Sequence, residues 1–254
     1  MDTIDLNYEI NRESLEPLKS RWNFLAISVA GACILSFYYF WAYSYFLSIF
    51  TKLPYADGYS RNEMNQYFFN AMADIYVHIT ISGLLFFAAQ VCSVIAVCMF
   101  FHRATKNLYR SNIQALNYTP AWSVGWFFIP FVQLVMPLLV ANQLWKASVS
   151  LNENSIDKTW QKNPISPWII IWYISFIGSI VFIFVYAIII QASTIRSMGN
   201  LSYGRPFGEA QAFAMMQEMF SNFKTMFFIY GGFWVIQGAA LILWTKKVLK
   251  MQTT

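Results

Sequence analysis

The sequence predicts an all-α integral membrane protein: four transmembrane helices in two hairpins, plus a proline-broken re-entrant or interfacial segment. Three observations carry this. Only 11% of the 254 residues are charged and 57% are hydrophobic, whereas a soluble domain is about 25% charged. Four runs are long, apolar and free of Asp, Glu, Lys and Arg: Trp22–Phe50, Tyr76–Phe101, Trp168–Gln191 and Thr225–Trp244. Each matches the roughly 20 residues that a spanning helix needs. Between the second and third runs lies SVGWFFIPFVQLVMP, Ser123 to Pro137, which is equally apolar but carries two prolines.

Taken in order, residues 1–21 are polar, mixed in charge and without an apolar core, so they read as a cytoplasmic N-terminus with no cleavable leader. Residues 22–101 form the first hairpin. Its external loop holds an amphipathic helix over 60–75, opened by the capping pattern Ser60-Arg61-Asn62-Glu63 and carrying Met64, Tyr67, Phe68, Ala71, Met72 and Ile75 at helical spacing. Residues 168–245 form the second hairpin, with a matching external helix over 206–223. Pro206 opens that helix, and Phe213, Met216, Phe220 and Phe223 share a face. Each hairpin ends in a basic cluster, HRATK or TKKVLK, and residues 246–254 make a basic cytoplasmic tail. The common plan suggests a weak parallel repeat. Trp22, Trp41, Trp168, Trp172 and Trp244 stand near run ends, where interfacial aromatics belong.

Residues 102–167 decide the topology. Pro130 and Pro137 each interrupt a helix, and Ile129 and Met136 before them are pushed toward extended geometry. If Ala121–Trp145 crosses the membrane, the seventeen lysines and arginines divide nine inside to eight outside. If it enters and returns, they divide twelve to five, which satisfies the positive-inside rule. The segment is therefore expected to stay on the side of both termini. Pro137 then opens a helix with Leu138, Ala141, Trp145 and Val149 on one face and polar Asn142, Gln143 and Lys146 elsewhere, as a surface-lying helix would show.

Two small-residue stripes at four-residue spacing, Ser28-Ala32-Ser36 and Ala88-Cys92-Ala96, are candidates for helix–helix packing. Chemistry is harder to find. His78 and His102 are the only histidines, about 36 Å apart on one helix, and cannot share a metal or haem. Asp74 and His78 can form a polar pair. Cys33, Cys92 and Cys98 lie in apolar runs, which speaks for packing. The spans hold no acid or base of the kind that ion-coupled transport uses. Gln90, Gln133, Gln191 and Gln237 are the amides near membrane depth. No phosphate loop or hydrolase motif occurs, and the basic residues flank apolar runs in a way unlike a nucleic-acid footprint.

The most distinctive stretch is RATKNLYRSNIQALNYTPAWSVGWFFIPFVQLVMPLLVANQLWKAS, Arg103 to Ser148. It resembles a bacterial membrane family catalogued as domain of unknown function 4328. The resemblance rests on Lys106-Asn107, Thr119-Pro120-Ala121-Trp122, Gly125-Trp126 with Pro130, then Pro137, and Trp145-Lys146-Ala147-Ser148. Gln133 and Val135-Met136 stand where the family often has an asparagine and a basic residue. The resemblance implies a bacterial inner-membrane protein and no activity.

The expected function is thus non-catalytic: an accessory or scaffold subunit in the bacterial inner membrane, without cofactor, binding membrane lipids and a membrane-protein partner or a second copy, but no nucleic acid. The candidate binding residues are Arg103, Lys106, Asn107, Arg110, Trp122, Trp126, Pro130, Gln133, Pro137, Asn142, Trp145 and Lys146. The alternatives are a small-solute transporter or channel using the broken segment, bordered by Gln133 and Asn142, and a lipid-binding sensor.

Overall fold

A computed structural model describes residues 15–52, 61–153, 158–201 and 209–253. All regular structure among them is helical: α1 (Lys19–Lys52), α2 (Arg61–Arg110), α3 (Trp122–Gly125), α4 (Met136–Asn152), α5 (Pro167–Leu201) and α6 (Glu209–Thr253), with 3-10 turns at Trp126–Phe128, Val132–Leu134 and Lys158–Lys162. Four of these helices are long and apolar enough to cross a membrane, over Lys19–Tyr45, Tyr76–Arg110, Pro167–Ala192 and Thr225–Thr253. They make this a multi-pass membrane protein by length and composition.

The external helices expected at 60–75 and 206–223 are not separate elements. From Arg61 the chain runs as one 50-residue helix to Arg110, and from Glu209 as one 45-residue helix to Thr253. The physical reason is simple. The side-chain pattern changes from amphipathic to uniformly apolar at residue 76, but neither proline nor glycine interrupts the backbone there, so the hydrogen-bonded ladder continues. Ser60 and Pro206 lie outside the described residues, as do the side chains of the two amphipathic faces and of Asp74.

The described chain divides into two compact units. One comprises Gly31–Ala89 and Phe176–Val235, and is built from sections of the four long helices. Its polarity is the reverse of a soluble bundle. Ala32, Ser36, Ala42, Ser44, Ser82 and Ser179 are buried, while Ile34, Phe37, Trp41, Leu84, Phe87, Phe184 and Ile188 are exposed. The serines spend their hydroxyls locally, Ser36 on the Ala32 carbonyl (2.6 Å) and Ser179 on that of Phe176 (2.7 Å). Small residues inside and large apolar ones outside suit helices packing in lipid. Glycines allow close approach here: a β-carbon on Gly231 would lie 3.1 Å from the Phe40 ring, and one on Gly178 would lie 3.0 Å from Phe233. Phe40 in turn packs on Phe227, with ring centroids 5.3 Å apart, and Tyr39 stacks on Phe86 at 5.4 Å.

The other unit comprises Met1–Ala30, Gln90–Ser175 and Ile236–Thr254. It holds the described N-terminal strap (residues 15–18), the C-terminal ends of α2 and α6, the N-terminal ends of α1 and α5, and everything from 111 to 166. Its core is apolar in the ordinary way, with Leu18, Leu25, Phe100, Phe101, Leu108, Val140, Leu144, Leu151, Ile169 and Val248 buried. Phe101 sits edge-on to both Phe127 (5.4 Å) and Trp244 (5.6 Å). Trp172 and Trp244 are accordingly core residues, not the interfacial aromatics expected from their positions near run ends; Trp41 is exposed.

The small-residue stripes need a similar correction. Ala32 and Ser36 are buried and Ser28 is half-buried, its carbonyl accepting the Ser93 hydroxyl at 3.0 Å. On α2, Ala96 is fully buried but Ala88 and Cys92 are exposed. Steps of four residues rotate about 40° around a helix with 3.6 residues per turn, so the stripe leaves the packed face within two steps. The buried row there runs through Ser93, Ala96 and Phe100.

Candidate functional site

The candidate region is built from how α2 ends and how the chain continues. At Arg110 the helix closes on a left-handed residue: Asn112 has φ 57°. The Asn112 N–H donates to the Tyr109 carbonyl (3.1 Å) and the Ile113 N–H to that of Leu108 (3.2 Å). These are the two bonds of a Schellman motif, and the accompanying apolar pair, Ile113 on Leu108, is buried. Thr-Pro-Ala-Trp then starts a new turn. The Thr119 carbonyl accepts from the Ser123 N–H (2.8 Å), and its hydroxyl from the Trp122 N–H (3.3 Å). Pro120 occupies a first-turn position, where its missing N–H costs nothing. Its carbonyl accepts the Ser123 hydroxyl at 2.7 Å and lies 3.0 Å from Nδ1 of His102.

The two prolines break the segment as expected, by different means. Ile129, before Pro130, is extended (φ −96°, ψ 115°). Phe131 follows with φ 63° and ψ −42°, and the Val132 N–H donates back to the Pro130 carbonyl at 2.7 Å. This is a γ-turn of the rare positive-φ hand, a strained conformation for a bulky residue. At the second proline, Met136 already opens α4, with Pro137 buried in its first turn. The expectation of an extended Met136 is therefore not met, because a first-turn proline leaves the helix intact. The face of α4 also differs from expectation. It buries Pro137, Val140, Ala141, Gln143, Leu144, Ala147, Ser148 and Leu151, while Leu138, Trp145 and Val149 are half-buried. Gln143 is drawn inward because its amide oxygen accepts the Asn117 N–H at 2.7 Å.

A buried polar hub fastens these pieces. Asn107, 1% exposed, pairs with the backbone of Glu16 in both directions: its oxygen accepts the Glu16 N–H and its NH₂ donates to the Glu16 carbonyl, each at 3.1 Å. The same NH₂ lies 3.4 Å from Oε1 of Gln252. The Gln252 amide donates to the Ser148 hydroxyl (2.9 Å) and to the Ala104 carbonyl (3.3 Å). One amide–amide–hydroxyl chain thus joins the N-terminal strap, α2, α4 and the end of α6. Beside it, Arg103, Lys106 (2.9 Å) and Arg110 (2.7 Å) converge on the Glu16 carboxylate. Glu16, Ser148 in this role and Gln252 escape sequence reading, since no local pattern links residues 91 to 145 positions apart.

The remaining candidates fall into two groups. Trp145 donates its indole N–H to the Pro164 carbonyl (3.1 Å) and Lys146 its ammonium to that of Gln161 (2.9 Å). Trp160 donates to the Gln114 carbonyl (2.8 Å), and Asn163 to the Lys146 carbonyl and Ser150 hydroxyl, both at 3.0 Å. These contacts staple 158–164 to α4 and to the 111–121 loop. By contrast Trp122, Phe128, Pro130, Phe131, Gln133 and Val135 are exposed, and Phe131 is 85% exposed. Trp122 and Trp126 pack together at 4.6 Å. Gln133 and Asn142 differ in surroundings: Gln133 is exposed in a 3-10 turn, whereas the Asn142 amide oxygen is buried in α4 and has no hydrogen-bond partner among the described residues; the buried Trp126 indole nitrogen likewise has none among them. The loop itself is held from below by the Tyr173 hydroxyl, which donates to the Leu134 carbonyl at 2.7 Å.

No curated protein and no solved structure is significantly similar to the chain. A family model does match, that of "Domain of unknown function (DUF4328)", over residues 70–216. The match reaches beyond the Trp- and Pro-marked stretch at 103–148 into α2, α5 and the first residues of α6. Since it covers more than half of the sequence, the chain belongs to this family of unknown function.

Proposed function

We propose that the protein is a non-catalytic subunit of the bacterial cytoplasmic membrane, a scaffold that binds a partner protein in the bilayer through its proline-broken segment. In this reading α1, α2, α5 and α6 span in two hairpins, and both termini and residues 102–167 face the cytoplasm. One observation supports it most: a loop strained at Phe131 is fastened from below while presenting apolar side chains outward. Strain at a bulky residue persists only where its surroundings over-determine it. Here the Tyr173–Leu134 bond, α4 and the two prolines fix the loop, yet Phe128, Phe131 and Val135 are 67%, 85% and 51% exposed. Rigid aromatic residues with no internal packing role are the usual anchors of an interface.

The test is a photo-crosslinking residue placed at 131 in the full-length protein in living cells. A discrete protein adduct is expected, weakened by Phe128→Ser and by Pro130→Ala with Pro137→Ala, none of which removes a span. Adducts to lipid alone, or a protein adduct indifferent to all these substitutions, would contradict the reading.

A further inference from the structure

We propose that residues 126–139 dip into the cytoplasmic leaflet of the bilayer, and that Phe128, Phe131 and Val135 lie against lipid acyl chains. The inference deepens the reading above and rests on its four spans: a partner that docks on this face must itself be embedded in the membrane.

The depth follows from the neighbours of the loop. On α2 the first lysine or arginine after the apolar run is Arg103, two residues past Phe101; on α6 it is Lys246, two residues past Trp244. The rings of Phe101 and Trp244 meet at 5.6 Å, so the two apolar ends stand level. Phe127 packs on the same Phe101 ring at 5.4 Å, which places it on the hydrocarbon side of those cations. On the third helix, Trp172 lies 6.5 Å from Trp244. Tyr173 beside it stands six residues inside α5, about 9 Å from Pro167. The Leu134 carbonyl, which accepts the Tyr173 hydroxyl, is held at that depth. No Asp, Glu, Lys or Arg occurs between Arg110 and Lys146. Gln133 is the one amide side chain among residues 126–139, and an uncharged amide is tolerated near the hydrocarbon boundary far better than a charge.

Irregular backbone at membrane depth has to satisfy its own polar groups. The two prolines carry no N–H to satisfy. The N–H groups of Val132, Gln133, Leu134 and Val135 donate to the carbonyls of Pro130 (2.7 Å), Ile129 (3.0 Å), Phe131 (3.1 Å) and Val132 (3.0 Å), and those of Leu138 and Leu139 donate to Val135. The same requirement accounts for the strained γ-turn. The positive φ of Phe131 brings the Val132 N–H onto the Pro130 carbonyl. In water, solvent satisfies that N–H and the strain brings no gain. In hydrocarbon, an unsatisfied N–H costs more than the strain does.

The test uses the full-length chain carrying Cys33→Ala, Cys92→Ala and Cys98→Ala. A single cysteine is added by Phe131→Cys, Phe128→Cys, Phe184→Cys or Gln161→Cys, labelled with a nitroxide, and the protein is reconstituted in vesicles of phosphatidylcholine and phosphatidylglycerol. Power saturation measures collision with oxygen, which concentrates in hydrocarbon, and with a water-soluble nickel chelate. Position 184, exposed in the middle of the α5 run, is the hydrocarbon reference; position 161, exposed between α4 and α5, is the water reference. Labels at 131 and 128 are expected to match 184, with an oxygen-to-nickel ratio at least about tenfold above that at 161. Phe128→Cys serves if Phe131→Cys fails to fold. A ratio like that at 161 puts the loop in water and overturns the proposal. Shielding from both probes also overturns it, because a second copy of the chain then covers the face. The vesicles hold only this chain and lipid, so failure here leaves the scaffold reading to its own crosslinking test.

Discussion

Asn107 and Gln252 show how much rests on single side chains. Each amide is nearly fully buried and each satisfies its neighbour. A buried donor or acceptor that loses its partner costs about 1–3 kcal/mol, more than the bond itself contributes. Gln252→Ala takes one partner from the Asn107 amide, which keeps the Glu16 backbone, and one from the Ser148 hydroxyl, which keeps the Leu144 carbonyl; Asn107→Ala removes the donor to the Gln252 amide oxygen and frees the Glu16 backbone. Each substitution should therefore destabilise the detergent-solubilised protein by about 1–3 kcal/mol. The double variant should cost less than the sum, with a coupling of about 0.5–3 kcal/mol. Denaturant titration of the four proteins checks this, and strict additivity would deny that the residues form one network. Asn107 was legible as part of the Lys-Asn element that marks the family resemblance. Its role was not, because its partners Glu16 and Gln252 lie 91 and 145 residues away. The basic residues at 103, 106 and 110 were likewise legible as a cluster, but not the acid that they surround.

At the scale of elements, local chemistry was the reliable guide. Proline restricts its own φ and the residue before it, so the break at Pro130 could be read directly, as could Pro137 at the start of a new helix, though not the helical Met136 before it. The Asn112 cap on α2 carries a signal too, asparagine just past a basic last turn, though it is visible only with the boundary in hand. Faces were less legible than boundaries. Four-residue stripes drift around the helix, which is why Ala88 and Cys92 are exposed while Ala96 is buried. The α4 face also shifted, because the amide of Gln143 has an inward partner that sequence does not reveal. Packing between elements can be tested at Gly231. Phe40, 6% exposed, lies 3.1 Å from the position of a β-carbon there and is hemmed in by Phe227 and Tyr230. Gly231→Val should overpack the contact and cost about 1–3 kcal/mol. Adding Phe40→Leu should restore part of the loss. Thermal unfolding in detergent reads both variants, and a Gly231→Val protein as stable as wild type would show that these helices do not meet as described.

At the scale of the whole molecule, composition and charge were enough to read the class. In the unit of Gly31–Ala89 and Phe176–Val235, buried serines and alanines with a coat of isoleucine, leucine and phenylalanine are what lipid favours and water penalises. The proposed topology draws support from two independent lines. One is the twelve-to-five division of lysines and arginines. The other is that the strap at 15–18, the ends of α2 and α6, the start of α5 and the whole of 111–166 belong to one compact unit, joined by the Asn107–Gln252–Ser148 chain. The most direct test is a pair of reporter fusions, after Lys158 and after Thr254, each made with a fluorescent protein that folds in the cytoplasm and with a phosphatase active only in the periplasm. Fluorescence without phosphatase activity is expected at both positions; phosphatase activity at either one would put that position in the periplasm and overturn the proposed topology.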